Sequence, residues 1–476
     1  MPLTAGSTAL DPGQDAETWV RRVYGIPGNS LNELTGALRR DGTISWGAAM
    51  KLVAIGAHPD DIELGCAALI KKVTELQLAE VYLIVLTDDG KAKTRRREAL
   101  NGARSMGIPK RRVLFAGMRD GDLRVSARSV ERIRHIASEW GIAPDVIITH
   151  TEADSHNDHV EANRIAHAAF RKCIFLHFSI HLSAELDRFE PRLFIDLSQD
   201  FMESKAAAIA CHSSQESRLK GVDLTIYEQT LGHSAGLKRV EAFEVRLPGQ
   251  DHTSAKELLA LSDSPFHRFW FPIMPAEPIT IFHEGLSQPG APIDWPTGHE
   301  NAGREALRQA FNDRWLPKSP LRERASDEAD VMASLNANSV VLVGGAVGNI
   351  AVRNIYNRMR GTVWTVDYDV PRTEPAYLLN RDTGARHYPR FDSSNSAEVD
   401  YGFLSRVTNP FNSERKIVCA AGATGLATRV ALELLAEVSP AGLVARHFDD
   451  IKDTQMAFSI QGEGEHVEVL DVHYGR

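Results

Sequence analysis

A chain of 476 residues with 54 Lys and Arg against 63 Asp and Glu, formal net charge −9, is too long for one hydrophobic core and predicts two or three domains. Its pI near 6.1, and the lack of a dense basic block beyond Arg95-Arg96-Arg97 and Lys110-Arg111-Arg112, exclude nucleic acid as a partner, because phosphate contacts need a basic face. No run of about 18 apolar residues marks a membrane span, and the first residues lack the basic-then-apolar order of an export signal. The four cysteines (Cys66, Cys173, Cys211, Cys419) are scattered and form no CxxC pair, so they read as reduced thiols and the expected location is cytoplasmic, away from membranes.

Residues 1–14 are small and polar and read as a mobile lead. Amphipathic spacing through Trp19, Val20, Val23, Leu31, Leu34 and Leu38, broken at Gly25–Asn29, predicts two short helices in an N-terminal extension over 1–47. From residue 51 apolar runs alternate with helical spacing. Strands are expected at 51–56, 81–87, 112–116 and 145–149, and helices at 63–77, 94–106, 126–140 and 159–172. A helix over 201–213 and a strand over 240–246 complete a domain at 48–250. This rhythm predicts an α/β fold with a Rossmann-like, mostly parallel sheet covered on both faces.

Residues 251–300 are rich in Pro, Gly and aromatic side chains and read as a connector, although Phe266, Phe269, Trp270 and Phe271 are too apolar to stay in water and are expected to dock. A second α/β domain follows over 301–476. Its expected elements are helices at 301–312, 326–336, 349–359 and 425–438, strands at 339–343, 362–366 and 416–420, and hairpins near 376–390 and 455–472.

The chemistry concentrates in Lys51–Gly65, KLVAIGAHPDDIELG. An apolar strand there ends in His58-Pro59-Asp60-Asp61 and passes directly into helical spacing, so an imidazole and two carboxylates sit at a strand end, where open α/β sheets keep their sites. Adjacent carboxylates repel unless they hold something, and His nitrogen with Asp oxygen makes a divalent cation the economical candidate. A second polar cluster follows the strand DVIIT: His150, Glu152, Asp154, His156, Asp158 and His159. His156 and His159, three apart at a helix start, can address one point.

Joined to His58 and Asp61, this pair completes a His/Asp/His triad with an open position, the pattern of a catalytic zinc site. Asp60, beside the cation and not needed as a ligand, is placed to take a proton from water and return it. His156, held by Asp158, would present N–H to a developing oxyanion. Blander readings apply to other residues: Arg95 as one of three solvated arginines, Asp120 as a turn former, Glu63 as a helix cap and His167 as a packed or surface histidine.

These motifs resemble the LmbE/PIG-L family of zinc-dependent N-acetylglucosaminyl deacetylases over residues 51–246. Besides AHPDD and HNDH, the likeness runs through LTDDG (86–90), Arg95-Arg96-Arg97-Glu98-Ala99, Met106-Gly107, Asp120-Gly121 and KAAAIACHSSQ (205–215). Asn157 stands where the family commonly has Pro, and TDDGKAK lacks its Gly-Glu pair. The resemblance implies a metal-dependent hydrolase that removes an N-acetyl group from an amino-sugar or its conjugate. Zn2+ would be held by His58, Asp61 and His159, Asp60 would be the general base, and His156 would stabilise the tetrahedral intermediate. It also implies that Arg95 and Asp120 meet sugar hydroxyls and that His212 and Gln215 close the pocket. Another amide or an N-glycosidic bond is the alternative substrate.

In the second half two strand-to-helix turns carry glycines: Gly344, Gly345, Gly348 and Asn349, then Gly422, Thr424, Gly425 and Thr428. Bare N–H groups at a helix start suit an anion. The expectation is a nucleotide or sugar-phosphate crevice, helped by Asp367, Tyr368 and Asp369, which would make the chain a ligand-regulated sensor. Tight helix–strand packing, or a structural domain that assembles homo-oligomers, explains the same glycines. No family is recognised in this half.

Overall fold

The computed structural model describes residues 50–76, 78–87, 92–181, 183–219, 224–248, 261–270, 279–283, 297–314, 321–325, 328–345, 349–369, 375–394, 396–413, 415–436, 443–448, 453–462, 464 and 466–475. The helices expected over 15–40, together with Asp88, Asp89, Gly90, Phe271 and Gly348, lie outside the described residues. The chain divides into two compact units, Met1–Asp263 and Ser264–Arg476.

In the first unit β1 (Met50–Gly56), α1 (Asp61–Glu75), β2 (Ala79–Thr87), α2 (Ala92–Ser105), β3 (Val113–Met118), α3 (Ala127–Glu139), β4 (Val146–His150), α4 (Asn157–Ala169) and β5 (Ile174–Phe178) follow one another. Then come β6 (Leu193–Asp196), α5 (Gln199–Ala210), α6 (Glu216–Leu219), α7 (Leu224–Ala235) and β7 (Val240–Arg246). The sheet order is β3-β2-β1-β4-β5-β7-β6. Its β1, β2, β3, β4 and β5 neighbours are parallel, and β7 runs antiparallel between β5 and β6. Val53, Ile55, Ile84 and Ile147 are fully buried in a cluster with Ile133 and Ile165 of α3 and α4, while Ala54, Leu69 and Ile148 are equally buried outside it. Burial on both faces explains why these strands read as continuous apolar runs.

The order reverses between β1 and β4, and at such a switch point the loops leaving the two strands diverge and open a crevice. Local packing fixes what projects into it. At Gly65 a Cβ would lie 2.1 Å from the Phe178 ring, so only glycine lets α1 lie this close to β5. At Cys66 α1 breaks (φ −149°, ψ 22°), and Glu241 of β7 accepts the Ala68 and Leu69 N–H groups, both at 2.9 Å. The kink's open backbone donors are thereby satisfied from the sheet.

Strands β5 and β6 were not expected from the sequence. IFLHF and LFID are short apolar runs with no alternation to mark them. No helix among the described residues is long and apolar enough to cross a membrane.

The second unit comprises α8 (Pro265–Trp270), β8 (Ile279–His283), α9 (Thr297–Arg314), β9 (Leu321–Ala325), α10 (Glu328–Ala337), β10 (Val340–Val343) and α11 (Ile350–Asn354). A small antiparallel sheet follows, of β11 (Trp364–Asp367), β12 (Tyr377–Asn380) and β13 (Arg386–His387). The rest is β14 (Arg390–Phe391), β15 (Ala397–Thr408), β16 (Lys416–Gly422), α12 (Gly425–Ala436), α13 (Leu443–His447), β17 (Thr454–Gln461) and β18 (His466–Tyr474). The main sheet runs β18-β17-β15-β16-β10-β8-β9, parallel from β16 to β9 and antiparallel at the other end.

The expected connector over 251–300 is not simply a linker in its described parts. Phe266, Phe269 and Trp270 of α8 are buried, and β8 is an interior strand between β10 and β9. Removing their apolar surface from water drives this docking. The twelve-residue β15 was also unexpected, because Asp400 and Ser405 interrupt its apolar pattern, yet both are buried.

Candidate metal centre

The turn after β1 is tied by the His58 N–H, which donates to Asp61 Oδ2 at 2.7 Å. It sets His58, Asp60 and Asp61 at the mouth of the crevice, all of them buried. Across the crevice the end of β4, the following loop and the start of α4 bring His150, Asp154, His156 and His159, and Asp154 Oδ1 accepts the His156 N–H at 2.7 Å. Donor atoms of His58, Asp61 and His159 lie within 4.8 Å of one another. His58 Nδ1 and His159 Nε2 face the Asp61 carboxylate at 3.2 and 3.6 Å.

Neither ring nitrogen makes a hydrogen bond, though both are buried. A buried polar atom without a partner is costly, and one cation between these nitrogens and Asp61 would satisfy all three groups. Two neighbouring triads also converge, His150–Asp154–His159 and His58–Asp120–Asp158; His150 Nδ1 is likewise buried without a hydrogen bond, but the other atoms of these triads are largely engaged. His150 Nε2 accepts the Ala57 N–H at 3.1 Å. Asp158 accepts the N–H groups of Gly121 at 2.7 Å and Leu123 at 3.3 Å. The residues therefore fit a cation at His58, Asp61 and His159 better than at either alternative.

The electrostatics follow from this crowding. Burial pushes the Asp61 carboxyl upward, but the surrounding imidazoles His159, His58 and His150 outweigh it and hold it well below the usual range. Burial opposes charge on His58 and His159, yet the Asp61 carboxylate, with Asp154 helping His159, raises them to about 9 and about 10. His150, fully buried and next to His159, is lowered to about 4.

Asp154, to which the sequence reading gave no role, receives His159 Nδ1 at 2.9 Å. A carboxylate that holds the far nitrogen of a ligand histidine fixes its tautomer and raises its basicity. A signal was present: an acidic residue five positions before His159, on the loop that leads into α4.

Other expected site residues have different partners from those foreseen. Arg95 is buried and its guanidinium donates to Asp60 Oδ1 at 2.8 Å, so it is not a solvated charge and it positions Asp60. Asp158 supports the 121–123 turn and lies 3.5 Å from His58 Nε2, where a bond to His156 was expected. Asp120, partly exposed, approaches His58 Nε2 at 3.1 Å. His156 is half-buried and stacks on His159 with ring centroids 4.4 Å apart.

Glu63, in the first turn of α1, does more than favour the helix start. Its carboxylate faces His212 Nε2 at 3.2 Å, in space that exists because residue 102 is glycine: a Cβ there would come within 2.3 Å of Glu63 Oε1. Gln215 turns its amide to Ser214.

In the second unit both glycine turns end in helix starts capped from within. Asn349 Oδ1 accepts the Ala351 and Val352 N–H groups at 2.9 and 3.2 Å. Asp400 of β15 accepts the Ala427 N–H at 3.1 Å and the Thr424 hydroxyl. At Gly422 a Cβ would meet Ala427 and the Thr428 nitrogen at 2.5 Å, so close packing accounts for this glycine. Asp369 is taken by Tyr377 and Arg386. The anion crevice expected here finds these groups already occupied.

Residues 53–170 match the family model described as PIG-L: GlcNAc-PI de-N-acetylase. Among solved structures, the conserved protein TT1542 from Thermus thermophilus is 23% identical, covering 42% of this chain and 96% of its own, with a TM-score of 0.36. N,N'-diacetylchitobiose deacetylase from Pyrococcus horikoshii is 21% identical over 50% of this chain and 94% of its own, TM-score 0.36. GalB, the 4-carboxy-2-hydroxymuconate hydratase from Pseudomonas putida, is 18% identical over 42% and 97%, TM-score 0.36. Residues 53–170 of this chain are a PIG-L (LmbE-like) domain.

Proposed function

We propose that the first unit is a metal-dependent hydrolase that removes an N-acetyl group from an N-acetylated amino-sugar or its conjugate. The observation that carries the reading is the pair of unbonded buried nitrogens, His58 Nδ1 and His159 Nε2, aimed at Asp61 beside a free carboxylate oxygen of Asp60. His58, Asp61 and His159 would hold a divalent cation such as Zn2+, which would supply Lewis acidity toward an amide carbonyl and water.

Asp60 acts as the proton carrier. Its Oδ1 is held by Arg95, while its Oδ2 has no hydrogen bond, so one edge of the carboxylate is fixed and the other is free for the proton of the attacking water. The same oxygen then returns that proton to the departing amine. Arg95 keeps Asp60 oriented through its charge-assisted bond to Oδ1. His156 offers a ring N–H to the oxyanion that forms when water adds to the carbonyl. Asp154 orients His159, and through the His156 N–H it also sets where that second imidazole stands. Substrate selection at hydroxyl groups falls to residues near the mouth, of which Asp120 is the partly exposed one.

The test is an acetate-release screen over N-acetylated sugars and nucleotide-sugars, joined to metal analysis. The unaltered chain is expected to carry one transition-metal equivalent at this centre and to release acetate from at least one class. His159→Ala is expected to lose both while its melting profile survives. Turnover that persists in His159→Ala, or after exhaustive chelation, removes the assignment.

A further inference from the structure

A cavity of about 740 Å³ lies in the first unit among Thr151, Asn163, His167, His177, Glu244 and Arg246, with Glu152 and Arg164 also on its wall. None of the proposed metal ligands His58, Asp61 and His159 lines it. Its surface is rich in charged and hydrogen-bonding groups, and Thr151, Asn163, His177 and Glu244 are buried.

Two imidazoles meet there. His167 of α4 and His177 of β5 bring their Nε2 atoms to 2.9 Å. The contact is a hydrogen bond from one imidazole N–H to the other ring nitrogen, and a cation would bind here by displacing that proton. Behind His177, its Nδ1 faces Glu244 Oε2 at 3.5 Å. That carboxylate is itself anchored by the Thr151 hydroxyl at 2.7 Å and the Glu190 N–H at 3.2 Å. His167 is fixed from the side by stacking on Phe175, ring centroids 3.7 Å apart and 13° from parallel. A carboxylate behind an imidazole, with both rings held rigidly, is the outer support that metal-binding histidines have.

We propose that His167 and His177 form a second cation site, for a divalent transition metal completed by water or a small oxygen-donor ligand from the cavity. With metal–nitrogen bonds of about 2.05 Å, two nitrogens 2.9 Å apart subtend about 90° at the ion, the angle of square-planar or octahedral coordination and not of a tetrahedron. The site therefore prefers Ni2+ or Cu2+ to Zn2+. Burial, followed by the charge of His177, lowers His167 to about 4, so its ring is neutral and able to ligate at neutral pH.

The proposal is independent of the His58 centre, and the experiment separates the two. The full chain is stripped with chelator and dialysed against Ni2+ or Cu2+, and bound metal is counted by mass spectrometry beside a melting curve. His167→Gln and His177→Gln are each expected to bind one equivalent fewer than the unaltered chain, whatever the occupancy at His58. Glu244→Gln keeps the equivalent with affinity reduced about 10–100-fold. The Cu2+ paramagnetic resonance spectrum loses the coupling of two imidazole nitrogens in both histidine variants. Equal metal counts in the unaltered and His167→Gln chains overturn the proposal and leave a hydrogen-bonded imidazole pair. If His177→Gln fails to fold, His167→Gln decides, because its ring is only half-buried.

Discussion

The two units place similar turns at the ends of parallel strands, and they differ in whether the side chains there already have partners. After β1 and β4 the first unit leaves His58 Nδ1, His159 Nε2 and Asp60 Oδ2 buried without hydrogen bonds. After β10 and β16 the second unit closes its turns with Asn349 and Asp400, whose oxygens meet backbone N–H groups of α11 and α12. Burying a polar group without a partner costs on the order of 1–3 kcal/mol. A fold that keeps several such groups at one point has them available for a ligand, and a fold that satisfies them uses them for stability. By that measure the β1–β4 crevice has groups to offer a ligand, and the described helix starts of the second unit use theirs for capping.

The largest expected effect breaks the comparison at its reactive end. Asp60→Asn retains the shape that Arg95 bonds but removes the proton-accepting edge, and acetate release should fall by about 10²–10⁴-fold. The chain should still melt cooperatively, and metal content should stay near that of the unaltered protein. Steady-state rates beside metal analysis check this, and an Asp60→Asn chain of undiminished rate would end the role given to this carboxylate.

Asp400 gives the next effect, in stability instead of rate. Burial raises its carboxyl from the ordinary 3.8 to about 6, although its bonds to Thr424, Tyr401 and Ala427 pull the other way. Between pH 4 and pH 6 the folded chain holds a proton that the unfolded chain has already released. Stability contributed by this group therefore falls as pH rises through that window and stays lower above it. The difference corresponds to roughly 3 kcal/mol. Asp400→Asn does not titrate, so its stability relative to the unaltered chain should improve by about that amount between pH 4 and pH 7 in chemical denaturation. A gap that does not change with pH contradicts the sign.

How much of this was legible in the sequence depended on whether one local pattern carried the feature. The β1 to α4 succession was, to within about two residues at most ends, because buried parallel strands and amphipathic helices have distinct periods. The convergence of His58, Asp61 and His159 was legible because each sits near the end of a predicted strand or the start of a predicted helix. The roles of Arg95, Glu63 and Asp158 were not, since each is decided by a partner far along the chain: Asp60, His212 and the 121–123 backbone. Strand β15 was hidden for the same reason. Its Asp400 looks like an interruption until α12 is seen to need a cap.

Asp154 is the case that joins the two kinds of region. Both its oxygens have partners, the His156 N–H and His159 Nδ1, so by partner count it resembles Asn349 more than Asp60. Burial alone would raise its carboxyl, yet the His159 bond and charge hold it below the usual range. Its contribution therefore runs through the ring it orients. Asp154→Asn keeps an oxygen for the His156 N–H but presents a weaker, neutral partner to His159. Metal affinity, or activity at limiting metal, should drop by about 10–100-fold, with a smaller change in melting temperature than in affinity. Titration of metal into the stripped variant measures this directly. An unchanged affinity would mean that packing, here the ring stack with His156 and His150, fixes His159 without help from the carboxylate.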